Sequence, residues 1–419
     1  MQNIFKRLNA NTKEERLLAL KQILKEQAST PTFRENDANN HIHTIYSFSP
    51  YSPTLAAYMA YRAGLTSAGI MDHDSLSGAK EFKEACKILN LGSTCGVEVR
   101  VKFNRGFGKI NHPDQENCIY MAAHGIPEKN IDAFNNYLAF YRDKRNLRNA
   151  KMCELITKKF SQFGFTLSFV KDVMPLSQAS SGGSVTERHL LYALSIKLAK
   201  RFSDREELIS FLENRLNLSV SEKTKTYLLD KTNPHFLYDL LGVLKSDTKF
   251  FYIDAEEEMP LAEDFIKKAK EFGAIPAYAY LGDVGNSVTG DKKSQKFEDS
   301  FLDELIAEIK KIGIEAVAYM PTRNTEEQLN RLTKLCKQNA LFEISGEDIN
   351  SSRQKFECVA LANPRYSHLI DSTWALIGHE HKMNVGSVKD GMFNKPVSDI
   401  QDLTNRIKEY AKIGRNSVK

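Results

Sequence analysis

The chain has little cysteine, almost no tryptophan and no long apolar run, and each shortage excludes something. One tryptophan and six cysteines are spread over 419 residues. Cys86, Cys95, Cys118, Cys153, Cys336 and Cys358 contain no C-x-x-C pair, which sets aside a zinc ribbon or a dithiol redox motif. At this density the thiols are expected to be reduced and mostly buried. No segment approaches the ~18 uncharged apolar residues of a membrane-spanning helix, so no membrane partner is expected. Residues 5–25 mix Lys, Arg and Glu with Leu and lack a secretory-type apolar stretch. The expected location is cytoplasmic. The net charge of +5 is small for the length. Without a concentrated basic patch it gives no strong nucleic-acid signal. The sequence holds no internal repeat and no low-complexity segment, and it leaves the oligomeric state open.

What is present is an ordinary globular composition, 42% apolar and 26% charged. The length suits roughly two to three domains, or one large barrel with an insertion. Residues 14–27 read as an amphipathic helix, with a polar stretch at 29–40 behind it. Strand and helix then alternate: β at 41–46, helix at 54–62 after Pro53, β at 67–71, helix at 77–89, β at 94–103. In the last strand Val97, Val99 and Val101 share one face, and Glu98, Arg100 and Lys102 the other. Short links in this order imply parallel pairing. Residues 127–245 show helical periodicity almost throughout, broken by the loop 180–183, with Thr186 capping the next helix. Alternation returns after 262, with strands at 274–281, 314–320 and 340–345 and a last helix at 400–413. The economical architecture is one parallel α/β barrel. Residues 37–127 begin it, a helical insertion at 128–247 interrupts it, and 248–350 complete it. A helical extension (1–36) precedes the barrel, and a segment (351–419) packs on it.

Four places carry chemistry. His41-Ile42-His43 lies on a predicted strand, where residues two apart face one side and both imidazoles reach one cation. Two structural histidines are the alternative. Asp72-His73-Asp74 follows Ala68-Gly69-Ile70-Met71 at a strand end, the place where barrel active sites form. It makes His73, Asp72 and Asp74 catalytic candidates, although Asp74 or Ser75 also suits a helix cap. Glu98 is a carboxylate in a strand expected to be buried, which calls for a metal or a salt bridge. Ser345-Gly346-Glu347-Asp348 ends another strand. His379-Glu380-His381 reads either as a metal pair or as part of a buried segment behind Trp374. Asn111-His112-Pro113-Asp114 reads as a turn.

The order His41-Ile42-His43-Thr44, Gly69-Ile70-Met71-Asp72-His73-Asp74-Ser75, Gly96-Val97-Glu98 resembles the PHP (polymerase and histidinol phosphatase) superfamily. The likeness extends to Arg142, Arg145 and Asn146, to Arg188-His189-Leu190, to Gly273-Ala274-Ile275-Pro276 and to Gly346-Glu347-Asp348. It implies a distorted (β/α)7 TIM-like barrel with one to three divalent ions at the strand C-termini, and hydrolysis of phosphate esters. It further implies that His41, His43, Glu98 and Asp348 hold one metal and that His73 belongs to another. Arg142, Arg145 and His189, with Arg188 beside it, would lie near the phosphate of a small phosphorylated substrate. Two imidazoles and two carboxylates suit Mn, Fe or Zn. The pattern departs at four positions where the family carries ligands: Phe48, Tyr120, Tyr280 and Asn350. His124, four residues beyond Tyr120, is a substitute ligand. These readings support a phosphoesterase first and a catalytically degenerate metal- or ligand-binding protein second. The helical insertion is expected to form a lid over the cleft.

Overall fold

The structure, a computed structural model, describes residues 2–27, 29–112, 114–283 and 297–418. Seven strands form one sheet in chain order: β1 (Arg34–Ile42), β2 (Leu65–His73), β3 (Gly92–Lys102), β4 (Cys118–His124), β5 (Ile275–Tyr280), β6 (Ala316–Tyr319) and β7 (Phe342–Ser345). The first three strands are parallel, and so are the last three. Beyond β7 the chain returns to β1. His43 N donates to Ile349 O at 2.9 Å, and Ile349 N donates to His41 O at 3.0 Å. The sheet therefore nearly closes, and the architecture is a TIM-like α/β barrel with a helical insertion.

Two expectations are corrected. β4 runs antiparallel to both neighbours, so the barrel is not fully parallel. Among the described residues no helix lies between Lys102 and Cys118. A parallel return would need a crossover of a dozen or more residues, usually a helix, so this short link can only turn the chain back. β1 begins at Arg34, inside the stretch expected to be a polar linker, and ends at Ile42. Its pattern was hidden because its buried side chains are polar and bonded. Asn39 Nδ2 donates to Phe356 O at 3.2 Å, and Asn40 Nδ2 donates to Ser345 O at 2.8 Å and to Thr373 Oγ1 at 2.7 Å. Pro113 of the turn expected at 111–114 lies outside the described residues.

Local signals set the helix ends. Thr12 and Glu15 form a capping box that starts the helix Lys13–Glu26, and Ser52 with Pro53 starts Pro53–Arg62. The insertion contains the helices Ile131–Phe160, Glu187–Arg201, Arg205–Ser210, Glu222–Leu229 and Phe236–Leu244. It has its own apolar core, built on Ile156, Phe160, Leu190, Leu194 and Leu240. It also touches three loops at the strand C-termini. Ser184 N donates to Tyr46 O at 2.7 Å, Ser75 Oγ donates to Gly182 O at 2.8 Å, and His235 Nδ1 lies 2.7 Å from Ser352 Oγ.

The opposite end of the barrel is closed by the helices Ser367–Val385 and Leu403–Ser417. Leu376 and Tyr410 pack there with inward-facing Met71, Ala122 and Ala277. The helices cross where Gly378 and Gly414 permit contact: a Cβ on Gly378 would lie 1.9 Å from Tyr410 O. His379 and Glu380 belong to this closure. Met392 N donates to His379 Nδ1 at 2.8 Å, so Nε2–H faces Gly273 O at 2.9 Å. Glu380 accepts from Thr94 Oγ1 and Cys95 N and pairs with Lys83. With both ring nitrogens occupied, His379 has a structural role. Among the described residues no helix is long and apolar enough to cross a membrane.

Candidate metal centre

Five side chains converge at the C-terminal rim of β1, β2, β3 and β7. His41 and His43 flank Ile42 at the end of β1, and the two backbone bonds to Ile349 hold this stretch. Their Nε2 atoms are 3.2 Å apart. His73 ends β2 and pairs in register with Glu98 on β3, and both face into the barrel. His73 Nδ1 is 3.0 Å from Glu98 Oε2. The same oxygen lies 3.7 Å from His41 Nε2 and 4.0 Å from His43 Nε2. From the far side of the seam, Asp348 Oδ1 reaches within 3.2 Å of His43 Nε2. The atoms form two overlapping triads, His41/His43/Asp348 and His43/His73/Glu98. Thus His43 is shared, and Glu98 groups with His73 rather than with Asp348.

The charge states suit a cation. Burial is the largest influence lowering the pKa of His43, and His73 adds to it, so the ring is held neutral. Burial works against an ionised Glu98, but His73 and His41 outweigh it and hold the carboxyl well below the usual range. Three imidazoles and two carboxylates gathered in two triads that share His43 make donor sets for Mn, Fe or Zn, so the residues fit a divalent ion.

A residue that sequence reasoning missed orients His43. Ser47 Oγ donates to Asp72 Oδ1 at 2.6 Å and lies 3.3 Å from His43 Nδ1. Asp72 also accepts from Thr44 N at 2.7 Å and Thr44 Oγ1 at 2.6 Å. Its side chain is buried, and burial raises its pKa against the pull of His43, Ser47 and Thr44. Asp72 thus braces the 44–47 loop. It pairs with Val97, on the strand parity opposite to His73 and Glu98, and does not join the cluster. Asp74 is likewise committed: its backbone takes a φ of 52°, and its carboxylate pairs with Arg145.

Of the expected phosphate-binding arginines, Arg145 is paired with carboxylates inside the protein and Arg142 is held by neutral acceptors. Arg142 donates to Asp74 O at 2.7 Å and to Asn135 Oδ1 at 3.0 Å. Arg145 reaches Asp74 and Glu187. Arg100 and Arg148 both pair with Glu187 and Glu258. This buried network fastens the insertion to β3. His189 is a cap: Thr186 N donates to its Nδ1 at 2.9 Å, and burial holds the ring neutral, with its pKa pushed down to about 3. Arg188, half-buried beside it, has no ion pair among the described residues.

The four substituted positions separate. Phe48 is buried in the insertion's core, its ring edge-on to His189 at 4.9 Å. Tyr280 lies on the strand parity opposite to the inward-facing Ala277, and its hydroxyl donates to Asp299 at 2.6 Å. Asn350 donates to Asp348 Oδ1 and so orients that carboxylate. Tyr120 remains near the cluster, with its ring 6.2 Å from His73 and stacked on His112 at 5.2 Å. His124 joins neither triad. Because β4 is reversed, its last residue points toward the closed end and pairs with Ile275 at the start of β5. The ring is buried, with Nε2 lacking a partner among the described residues, and burial pushes its pKa down to about 3.

No protein-family model matches the chain, and no curated protein matches it in sequence. Among solved structures it is similar to a candidate metal-dependent phosphoesterase from Bifidobacterium adolescentis, at 18% identity and a TM-score of 0.49, over 80% of this chain and 96% of that one. It is also similar to an amidohydrolase from Chromobacterium violaceum with bound sulfate and no metal, at 14% identity and a TM-score of 0.49, over 76% of this chain and 89% of that one. Likeness of this degree leaves the chemistry to be read from the side chains themselves.

Proposed function

We propose that the protein is a metal-dependent hydrolase of phosphate esters acting on a small phosphorylated metabolite or nucleotide, as its resemblance to the PHP superfamily implies. The observation that supports this is the convergence of His41, His43, His73, Glu98 and Asp348 in two triads that share His43. A divalent ion bound there would supply Lewis acidity to a phosphoryl oxygen and lower the pKa of water. The chain's own residues prepare the place. Ser47 and Asp72 set His43, Asn350 sets Asp348, and Glu98 stays ionised between the imidazoles. Asp72 is bonded to Thr44 and Ser47 and Asp74 is paired with Arg145, so of the three catalytic candidates His73 is the one with a part in the proposed centre.

The test combines metal content by elemental mass spectrometry with turnover of phosphomonoesters. Stoichiometric Mn, Fe or Zn that is lost in His41→Ala is expected, as is hydrolysis that disappears in Glu98→Gln with the fold kept. Unchanged hydrolysis in Glu98→Gln would sink the assignment. Phe48 and Tyr280, which face away where the family carries ligands, favour a second reading: a metal-binding module without catalysis. Metal-dependent turnover of any phosphoester eliminates that reading.

A further inference from the structure

We propose that Arg323 grips the phosphoryl group of the substrate, in place of the arginines that the buried network consumes. This rests on the hydrolase reading above. Arg323 follows the C-terminal end of β6, on the rim that carries His73 and Asp348. Its Nε donates to Leu281 O at 3.1 Å, and Asn324 Nδ2 donates to the same oxygen at 2.8 Å. The turn is thus fastened to the end of β5, which fixes the guanidinium plane. Two sites of hydrogen bonding are left over: among the described residues Arg323 Nη2 is buried with no partner, and so is Asn324 Oδ1.

Arg323 differs from its neighbours in this. Arg100 and Arg148 each face two carboxylates and Arg145 faces three, while Arg142 is held by a carbonyl and an amide. Among the described residues Arg323 has no ion pair. The carboxylates that bear on its charge are Glu298 and Asp348, and Asp348 belongs to the candidate centre. A buried N–H without an acceptor is costly and uncommon, and one held in place on the rim that carries the candidate centre has the character of a preformed anion contact. The guanidinium fork matches a phosphoryl group, whose oxygens are acceptors only. An arginine anchored through Nε loses little further freedom on meeting such a group.

The experiment is isothermal titration of inorganic phosphate into the full-length protein, as wild type, Arg323→Ala and Arg323→Lys, alongside hydrolysis of p-nitrophenyl phosphate. Phosphate affinity is expected to fall about tenfold or more in Arg323→Ala and to recover in part in Arg323→Lys. KM should rise by more than kcat falls. Arg323→Gln, which keeps a donor for Leu281 O, replaces the alanine variant if that one loses its circular dichroism signal. Phosphate binding that is equal in wild type and variant, or absent from wild type, overturns the proposal. If phosphate binding depends on Arg323 but no ester is turned over, the hydrolase reading falls and this contact stands. If esters are hydrolysed while phosphate binding ignores Arg323, the reverse holds.

Discussion

Asp72 accepts the Ser47 hydroxyl at 2.6 Å, and that bond selects the tautomer of His43. Ser47 has one proton, and it goes to Asp72. Its oxygen is therefore left to accept from His43 Nδ1, 3.3 Å away. His43 then carries its proton on Nδ1 and presents a lone pair at Nε2, between His41, Glu98 and Asp348. A carboxylate that looks catalytic in the sequence acts instead one bond back, through a serine.

The first prediction concerns that serine. Ser47→Ala removes the acceptor for His43 Nδ1 and leaves the other donors on Asp72 in place. Metal affinity is expected to drop by about 10–100-fold with little change in stability. Competition against a fluorescent chelator measures it, and unaltered affinity would remove Ser47 from the site.

A second prediction concerns acid. Burial pushes the pKa values of His112, His124 and His189 down to about 3 and that of His379 to about 4, each from 6.5. Between those limits the unfolded chain binds protons that the folded chain refuses, so each histidine lowers stability as pH falls below 6.5. Each contributes roughly 1.4 kcal/mol per pH unit. Buried acids act in the other direction: Asp37 is raised to about 6 and Glu298 to about 8, and Asp72, Glu315 and Glu380 are raised as well, mainly by burial. The two sets oppose each other in whole-protein stability, so a histidine's share is read by difference, against a variant such as His112→Gln that cannot titrate. The urea midpoint of the wild type relative to His112→Gln should decline steadily from pH 6.5 toward 4.5, and a constant difference contradicts a buried, neutral His112.

The charged network between β3 and the insertion gives a third. Glu258 meets Arg100 at 2.6 Å and Arg148 at 2.5 Å with almost no exposure. Glu258→Gln leaves both arginines with Glu187 alone, and such a break costs roughly 3–5 kcal/mol. Equilibrium denaturation reads it directly. A cost below about 1 kcal/mol, the level of a solvent-exposed pair, would mean that water reaches the network.

The fourth inverts a usual rule. Glycine to alanine inside a helix ordinarily gains up to about 1 kcal/mol. At Gly378 the added methyl would lie 1.9 Å from Tyr410 O, so the two C-terminal helices must part. Gly378→Ala is therefore expected to destabilise by roughly 1–3 kcal/mol. Thermal melting gives the sign, and a raised Tm would show that the crossing has slack.

Strand parity made much of the centre legible. His41, His43, His73 and Glu98 stand where a two-residue period places them, and the same period separates His73 from Asp72 once register is known. The direction of β4 was not legible. Tyr120 and His124 share a face in either direction, and only the reversal shows which is near the rim. Nor could β1 be read from polarity, because Asn39 and Asn40 meet their partners from residues more than 300 positions away. Ser47 carries no signal of its own, since its partners come together only when β1 and β2 pair.

The clasp at Ile349 gives the centre a further consequence. The bonds that return the chain from β7 to β1 run to His41 and His43 themselves, so the seam of the sheet and the cluster of imidazoles occupy one place. A cation held by His43 and Asp348 would act as a rivet across that seam. Amide protons at His43 and Ile349 would then exchange with solvent at a rate set by ion release, and the barrel would open and lose its ion as a single event.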